Sequence, residues 1–151
     1  MLYRLFQPGD FAQLYAIEEV CFQPPLRFSR AYLHRLTASR RTFTWIAEEE
    51  SRMSGFAIIS IKPETHAAYI QTLEVLPEMR GRGIGAELLN RLESSAITAG
   101  AQSIGLHVDA ENSAAIRLYE SRGYEQRGRE ENYYAHSRAA LIYSKSLNTE
   151  Q

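Results

Sequence analysis

The sequence predicts a mixed α/β fold, with one central mixed sheet and helices on both faces. Three observations carry that expectation. Residues 42–49, 55–62 and 68–76 are strand-like runs separated by polar or proline-containing turns, the pattern of an antiparallel meander. Residues 85–99 then read as an amphipathic helix and residues 103–108 as a strand, so a crossover makes one parallel pair. The other helical stretches, near residues 10–21, 29–38 and 112–122, must each bury a face against that sheet.

Taken in order, residues 2–6 read as a short edge strand. Pro8-Gly9 turns the chain, and Asp10 can cap a helix running to about Cys21. Phe11, Leu14, Ile17 and Cys21 share one face of it. In the following stretch, Phe22-Gln23-Pro24-Pro25-Leu26-Arg27-Phe28, two prolines oppose a helix. Leu26 and Phe28 either plug the core there or form a rigid apolar lip for an acceptor. Ser29 can cap the second helix. Residues 50–54 are expected as the turn of the first hairpin, with Trp45 in its core, and Pro63-Glu64-Thr65 as the second turn. On the long helix Leu88, Leu89, Leu92, Ala96 and Ala99 fall on one face, and Gly100 ends it. Asn112 can cap the short helix that Gly123 closes. The chain returns as a strand from Tyr124, passes Asn132-Tyr133-Tyr134 in an expected loop, and ends in a strand at residues 139–146.

The 151 residues suit a single domain, residues 1–151, and 44% apolar with 23% charged residues fits a globular one. A net charge of −1 gives no general attraction to nucleic acid or to an anionic membrane, so any cationic site must be local. No apolar run is long enough to span a bilayer, and the N-terminus lacks a basic-then-apolar layout. Cys21 stands alone, which excludes an internal disulfide and points to a reducing, cytoplasmic setting. His34, His66 and His136 lack carboxylate or thiol spacing, so no metal site is expected.

The stretch Arg80-Gly81-Arg82-Gly83-Ile84-Gly85-Ala86 follows a strand that Pro77 ends. Its glycines let backbone N–H groups crowd around an anion, and the helix beginning there points its positive end at the same place. Arg80 and Arg82 add charge. The stretch can be a solvated turn, a dinucleotide fingerprint through Gly81, Gly83 and Ala86, or a seat for another pyrophosphate. The fingerprint belongs on the first strand of a βαβ unit, whereas this stretch lies mid-chain.

Arg80-Gly81-Arg82-Gly83-Ile84-Gly85 matches R/Q-x-x-G-x-G/A in full. One helix and one strand later, Asn112, Ala115, Tyr119, Gly123 and Tyr124 match N-x-x-A-x-x-x-Y-x-x-x-G-F/Y. Together these motifs resemble the GNAT acetyltransferase superfamily, from the first strand to about Leu147. Asn112-Ser-Ala-Ala-Ile and Glu131-Asn-Tyr-Tyr134 resemble the bacterial enzymes that acetylate ribosomal-protein N-termini. Tyr69-Ile-Gln-Thr-Leu and Leu106-His-Val resemble the catalytic subunit of the eukaryotic NatE enzyme. A bacterial ribosomal-type enzyme is expected to carry a glutamate near His107, so the histidine favours the NatE-like machinery.

The resemblance implies the GNAT fold, with a splay between its two central parallel strands, and acetyl-CoA as donor to an amine. It implies Tyr69 and His107 as the base pair, sharing an ordered water, and Tyr119 as hydrogen-bond donor to the departing sulfur. Leu73 and Val75 would pair with the pantetheine arm, Val75 N–H facing the developing oxyanion. Asn112 would bind the pantetheine or cap its own helix. Arg80, Gly81, Arg82, Gly83, Ile84, Gly85 and Ala86 would seat the pyrophosphate. Leu26, Phe28, Tyr69, Tyr133 and Tyr134 would line the acceptor groove, although the last two can equally cover the sheet. An α-amine near ~8 loses its proton to an ordinary imidazole far more readily than a lysine near ~10.4, a gap of about 3 kcal/mol. The expected acceptor is therefore a protein or peptide N-terminus. The alternatives are a small amine (polyamine, amino acid or aminoglycoside) and a silent CoA-binding module. Glu74, Glu130 and Glu131 are the candidate anions for a cationic acceptor.

Overall fold

The computed structural model describes residues 1–147. Its elements run β1 (Leu2–Leu5), α1 (Phe11–Cys21), α2 (Arg30–Ala38), β2 (Thr42–Glu49), β3 (Arg52–Lys62), β4 (Ala67–Val75), α3 (Ile84–Thr98), β5 (Ser103–Asp109), α4 (Ser113–Ser121), β6 (Glu125–Ala135) and β7 (Arg138–Ser146). The seven strands form one sheet in the order β1-β2-β3-β4-β5-β7-β6. Only β4 and β5 pair in parallel, as the α3 crossover requires.

The sheet separates two cores. On one face α3 and α4 bury Leu88, Leu89, Leu92 and Tyr119 against Ile59, Ile70 and Leu106. On the other α1 and α2 bury Leu14, Ile17 and Leu33 against Ile46, Phe56 and Ile58. This two-sided burial explains why β3 reads as a nearly continuous apolar run. Ala99, expected on the buried face of α3, instead forms its exposed C-cap, and Gly100 follows with φ +90°.

Local chemistry sets several boundaries. Ser29 Oγ accepts from Tyr32 N at 3.1 Å and Asn112 Oδ1 from Ala115 N at 3.1 Å, so both expected caps are present. Asp10 does not cap α1 with its side chain; it accepts from Gln7 N at 2.7 Å and from Arg4 at 2.9 Å. The β2–β3 turn is the pair Glu50-Ser51, with φ 53° and 67°, so Met53 and Ser54 belong to the strand instead. Asn132-Tyr133-Tyr134 are not in a separate loop. They form an irregular stretch of β6, between the Glu130↔Ala140 and Ala135↔Arg138 pairs, with Asn132 at φ 56°.

Three features shape the middle of the sheet. The β3–β4 ladder slips between Ile58↔Thr72 and Ile59↔Ile70, leaving Gln71 as the extra residue of a bulge. Gly55 lies so close to β4 that an added Cβ would sit 2.5 Å from Glu74 O. The parallel β4–β5 ladder runs only from Ala67↔Ser103 to Ile70↔Leu106. Beyond Ile70 and Leu106 the strands part, and the splay opens there.

Candidate active site

A cleft of about 600 Å³ fills the splay. Leu76 N donates to Ser54 O at 2.9 Å, toward β3. Backbone groups alternate sides along a strand, so Leu73 and Val75 turn theirs toward the open edge. Val75 O there accepts from Arg80 Nε at 2.9 Å and from Cys21 Sγ at 3.5 Å. Arg80 lines the cleft, but its guanidinium is turned back onto this carbonyl and onto Cys21 Sγ at 3.7 Å. Burial raises the Cys21 thiol to about 11, with the nearby Glu74 charge adding to it, which makes it a poor nucleophile.

The floor of the cleft is the glycine turn. Gly81 and Gly83 have φ +79° and +84°, a conformation that a side chain would strain. Gly83 caps α3 without a side chain, and the first intrahelical bond from this cap is Glu87 N to Gly83 O. The N–H groups of Ile84, Gly85 and Ala86 therefore have no carbonyl within the helix to donate to. Gly81, Gly83, Ile84, Gly85 and Ala86 all line the cleft, whereas Arg82 is exposed beyond its lining. Open-edge backbone on β4 and uncapped donors on α3 suit an extended amide-bearing arm that ends in a pyrophosphate. The residues present thus fit coenzyme A. Asn112 lines the same cleft, and its side chain Oδ1 is used to cap α4, the second of its two expected roles.

A smaller cavity of about 80 Å³ continues from the cleft beneath the α1–α2 loop, lined by Leu26, Phe28, Gln71, His107, Tyr119 and Tyr134 among others. Tyr119 is buried and lines both spaces, at their junction. Burial, and secondarily Tyr134, raise that phenol above its ordinary range. It therefore keeps its proton and can only assist a leaving sulfur.

Tyr69 Oη and His107 Nδ1 are 2.8 Å apart and hydrogen-bonded directly, which brings the two expected members of the base together. Burial, then the Tyr133 hydroxyl, raise Tyr69 above the usual phenol range. The Tyr133 ring stacks on the imidazole at 4.4 Å and 8°, and Tyr134 stands edge-on to Tyr133 at 4.9 Å. Tyr134, from the irregular stretch of β6, forms one wall of the cavity, while Tyr133 lies outside its lining and covers the imidazole. Leu26 and Phe28, from the α1–α2 loop, form the other.

Sequence reasoning missed two polar clusters here. Tyr32 Oη donates to Gln71 Oε1 at 3.0 Å, and Gln71 Nε2 donates to Ser60 Oγ at 3.0 Å, fixing the bulge residue at the cavity wall. Glu18 and Glu74 meet beneath the loop, 0% and 2% exposed. Glu18 Oε2 accepts from Phe28 N at 2.8 Å and Glu74 Oε2 from Thr72 Oγ1 at 2.7 Å, while neither Oε1 meets an ordinary donor. Glu74 is held well above the usual carboxyl range, first by burial and then by its hydrogen bond to Glu18 and that residue's charge. Glu74 is thereby disposed to keep its proton beside Glu18. The one sequence signal was Glu74 itself, the single charged residue of β4.

Residues 11–124 match the profile of the Acetyltransferase (GNAT) family. Among solved structures, the ribosomal-protein-S18-alanine N-acetyltransferase of Escherichia coli is similar at 24% identity and TM-score 0.88, over 99% of this chain and 96% of that one. Arabidopsis thaliana NAA60, in complex with a bisubstrate analogue, is similar at 20% identity and TM-score 0.85, over 99% of each chain. An aminoglycoside 6'-N-acetyltransferase complexed with coenzyme A is similar at 16% identity and TM-score 0.85, over 100% of this chain and 99% of that one. At these identities the likeness is one of fold.

Proposed function

Since the chain belongs to the GNAT acetyltransferase family and is an acetyl-CoA-dependent acetyltransferase, we propose that it acetylates the N-terminal α-amine of a protein or peptide. The observation that carries this reading is the 2.8 Å Tyr69–His107 hydrogen bond beside a narrow aromatic cavity. A tyrosine–imidazole pair is a modest base, suited to an α-ammonium near ~8 and poorly matched to a lysine near ~10.4. A cavity of about 80 Å³ suits one small first side chain against Leu26, Phe28 and Tyr134. The fold likeness to two N-terminal acetyltransferases, from Escherichia coli and Arabidopsis, agrees with it.

Acetyl-CoA supplies an acyl group already activated as a thioester. Leu73 and Val75 would hold its arm along the open edge of β4, with the Val75 N–H available to the acyl oxygen. Gly81, Gly83 and the first turn of α3 would hold the pyrophosphate, with Arg82 adding charge from outside. Tyr69 and His107 would take the proton of the acceptor ammonium. Tyr119 would donate a hydrogen bond to the sulfur. The raised Cys21 thiol disfavours a covalent acyl-enzyme and favours direct transfer.

A small cationic acceptor would want free carboxylates. Glu74 is buried against Glu18 and Glu131 is paired with Arg129, so the candidate acidic pocket reduces to Glu130. The deciding experiment follows thiol release from acetyl-CoA with short peptides of different first residues, polyamines and aminoglycosides. Release with peptides blocked only by N-terminal formylation supports the α-amine. Release confined to the small amines overturns it, as does coenzyme binding without turnover on any acceptor.

A further inference from the structure

His107 Nε2 lies 3.3 Å from Glu130 Oε1, on the side of the ring opposite Tyr69. We propose that Glu130 is the positioning residue of this site: it fixes His107 as the Nε2–H tautomer, so that Nδ1 faces Tyr69 as the terminal proton acceptor. The proposal rests on the reading of Tyr69 and His107 as the base.

The argument begins with hydrogen-bond capacity. A neutral imidazole has one N–H and one lone pair, and a carboxylate only accepts. With Glu130 at Nε2, the hydrogen must sit on Nε2. The opposite tautomer would set a lone pair against a carboxylate. Nδ1 is then the acceptor, and Tyr69 Oη donates to it across 2.8 Å. Tyr133, stacked at 4.4 Å, prevents the ring from rotating out of this line.

The topology explains why a residue two strands away can reach. His107 pairs with Ile142 of β7, and Ile142 pairs with Gly128 of β6. Gly128 stands in line with His107 and carries no side chain. Glu130 is two residues further along the same face of β6 and leans over the gap. The neighbouring carboxylates are committed elsewhere: Asp109 of β5 to Arg138 of β7 at 2.8 Å, and Glu131 to Arg129. The other ionisable groups packed about the ring are the phenols of Tyr69, Tyr133 and Tyr134.

The proton path then balances. The acceptor's N–H bond breaks as Tyr69 oxygen gains that proton, and Tyr69's own O–H breaks as Nδ1 gains its proton. The amine keeps its lone pair, Tyr69 is regenerated neutral, and the imidazolium faces the Glu130 carboxylate. Arrangements of this kind orient a base and stabilise its charged form without touching substrate.

The test uses the full chain, ¹⁵N-labelled on histidine, with Glu130→Gln and Glu130→Asp. Glu130 is more than half exposed, so neither change disturbs the core. Ring ¹⁵N spectra without any acceptor should show wild-type His107 as the Nε2–H form. In Glu130→Gln the Nε2–H preference should weaken and the Nδ1–H form gain population. kcat should fall about threefold, and KM for acetyl-CoA should hold. Glu130→Asp should recover part of the Nε2–H population. An Nδ1–H ring in the wild type, or a tautomer ratio that is the same across the variants, would overturn the proposal. The spectra need no acceptor, so they stand even if thiol release shows the α-amine reading to be wrong.

Discussion

On the proposed reading, the wall of the cleft that would hold the donor is made of backbone, and the wall that would face the acceptor is made of side chains. On the donor wall the open edge of β4, the glycine turn and the first N–H groups of α3 line the space, with Leu88, Leu89 and Leu92 packed behind. On the acceptor wall the α1–α2 loop is tied down by polar contacts: Glu18 Oε2 to Phe28 N at 2.8 Å, Tyr15 Oη to Phe28 O at 2.9 Å and Arg27 Nε to Phe22 O at 3.0 Å. Backbone donors recognise a ligand through features common to any sequence that keeps the turn. Side chains can be exchanged one at a time. The same scaffold can therefore keep one donor while its acceptor changes.

If the walls act separately, damage to one should leave the other working. The largest separation is expected from His107→Ala. Loss of the base should lower kcat by about 10²- to 10⁴-fold, the usual worth of general-base catalysis. Acetyl-CoA affinity by titration calorimetry should hold, because His107 does not line the larger cleft. An equal fall in affinity and turnover would merge the two walls and remove His107 from proton transfer.

The converse change is Gly83→Ala. At φ +84° an alanine costs about 1–2 kcal/mol, and its Cβ, with no protein atom within 4 Å, adds bulk to a turn that lines the cleft. Acetyl-CoA should bind roughly tenfold more weakly, a loss seen in its KM, while the pH profile of kcat keeps its shape. A shifted profile would show that the glycine turn also sets the geometry at His107.

The same division decided what was legible in the sequence. The donor wall is local: Pro77, the glycines, Asn112 and Tyr119 stand at fixed spacings along two short stretches, so the element order and the splay were readable. Apart from Tyr69 and His107, which the resemblance brought together, polar contacts across distant segments were not. Glu18 and Glu74 are far apart in sequence, as are Tyr32 and Gln71, and His107 and Glu130, and no periodicity links their members. Arg80 read as a ligand for the pyrophosphate, yet Val75 O and Cys21 Sγ hold its guanidinium. The bulge at Gln71 and the irregular run through Tyr134 depend on register with neighbouring strands, which side-chain alternation alone does not report.

The smallest effect expected tests what holds the acceptor wall in place. Glu74 is raised above its ordinary range of ~4.5 by burial and by Glu18, so the folded state keeps a proton that the unfolded chain releases. Below ~4.5 both states are protonated and the group contributes no pH dependence. As pH rises above that value the unfolded chain binds fewer protons than the folded one, and stability falls until the folded group also ionises. Glu74→Gln removes the titration while its amide can still donate to Glu18 and accept from Thr72. At pH 8.5 the variant should be more stable than wild type by about 1 kcal/mol, or about 3 °C in Tm. At pH 4.5 that gain should shrink to nothing. Thermal unfolding at the two pH values decides it: a Tm difference that is the same at both would mean that the pair shares no proton, and that the loop over Glu18 is held by its neutral contacts alone.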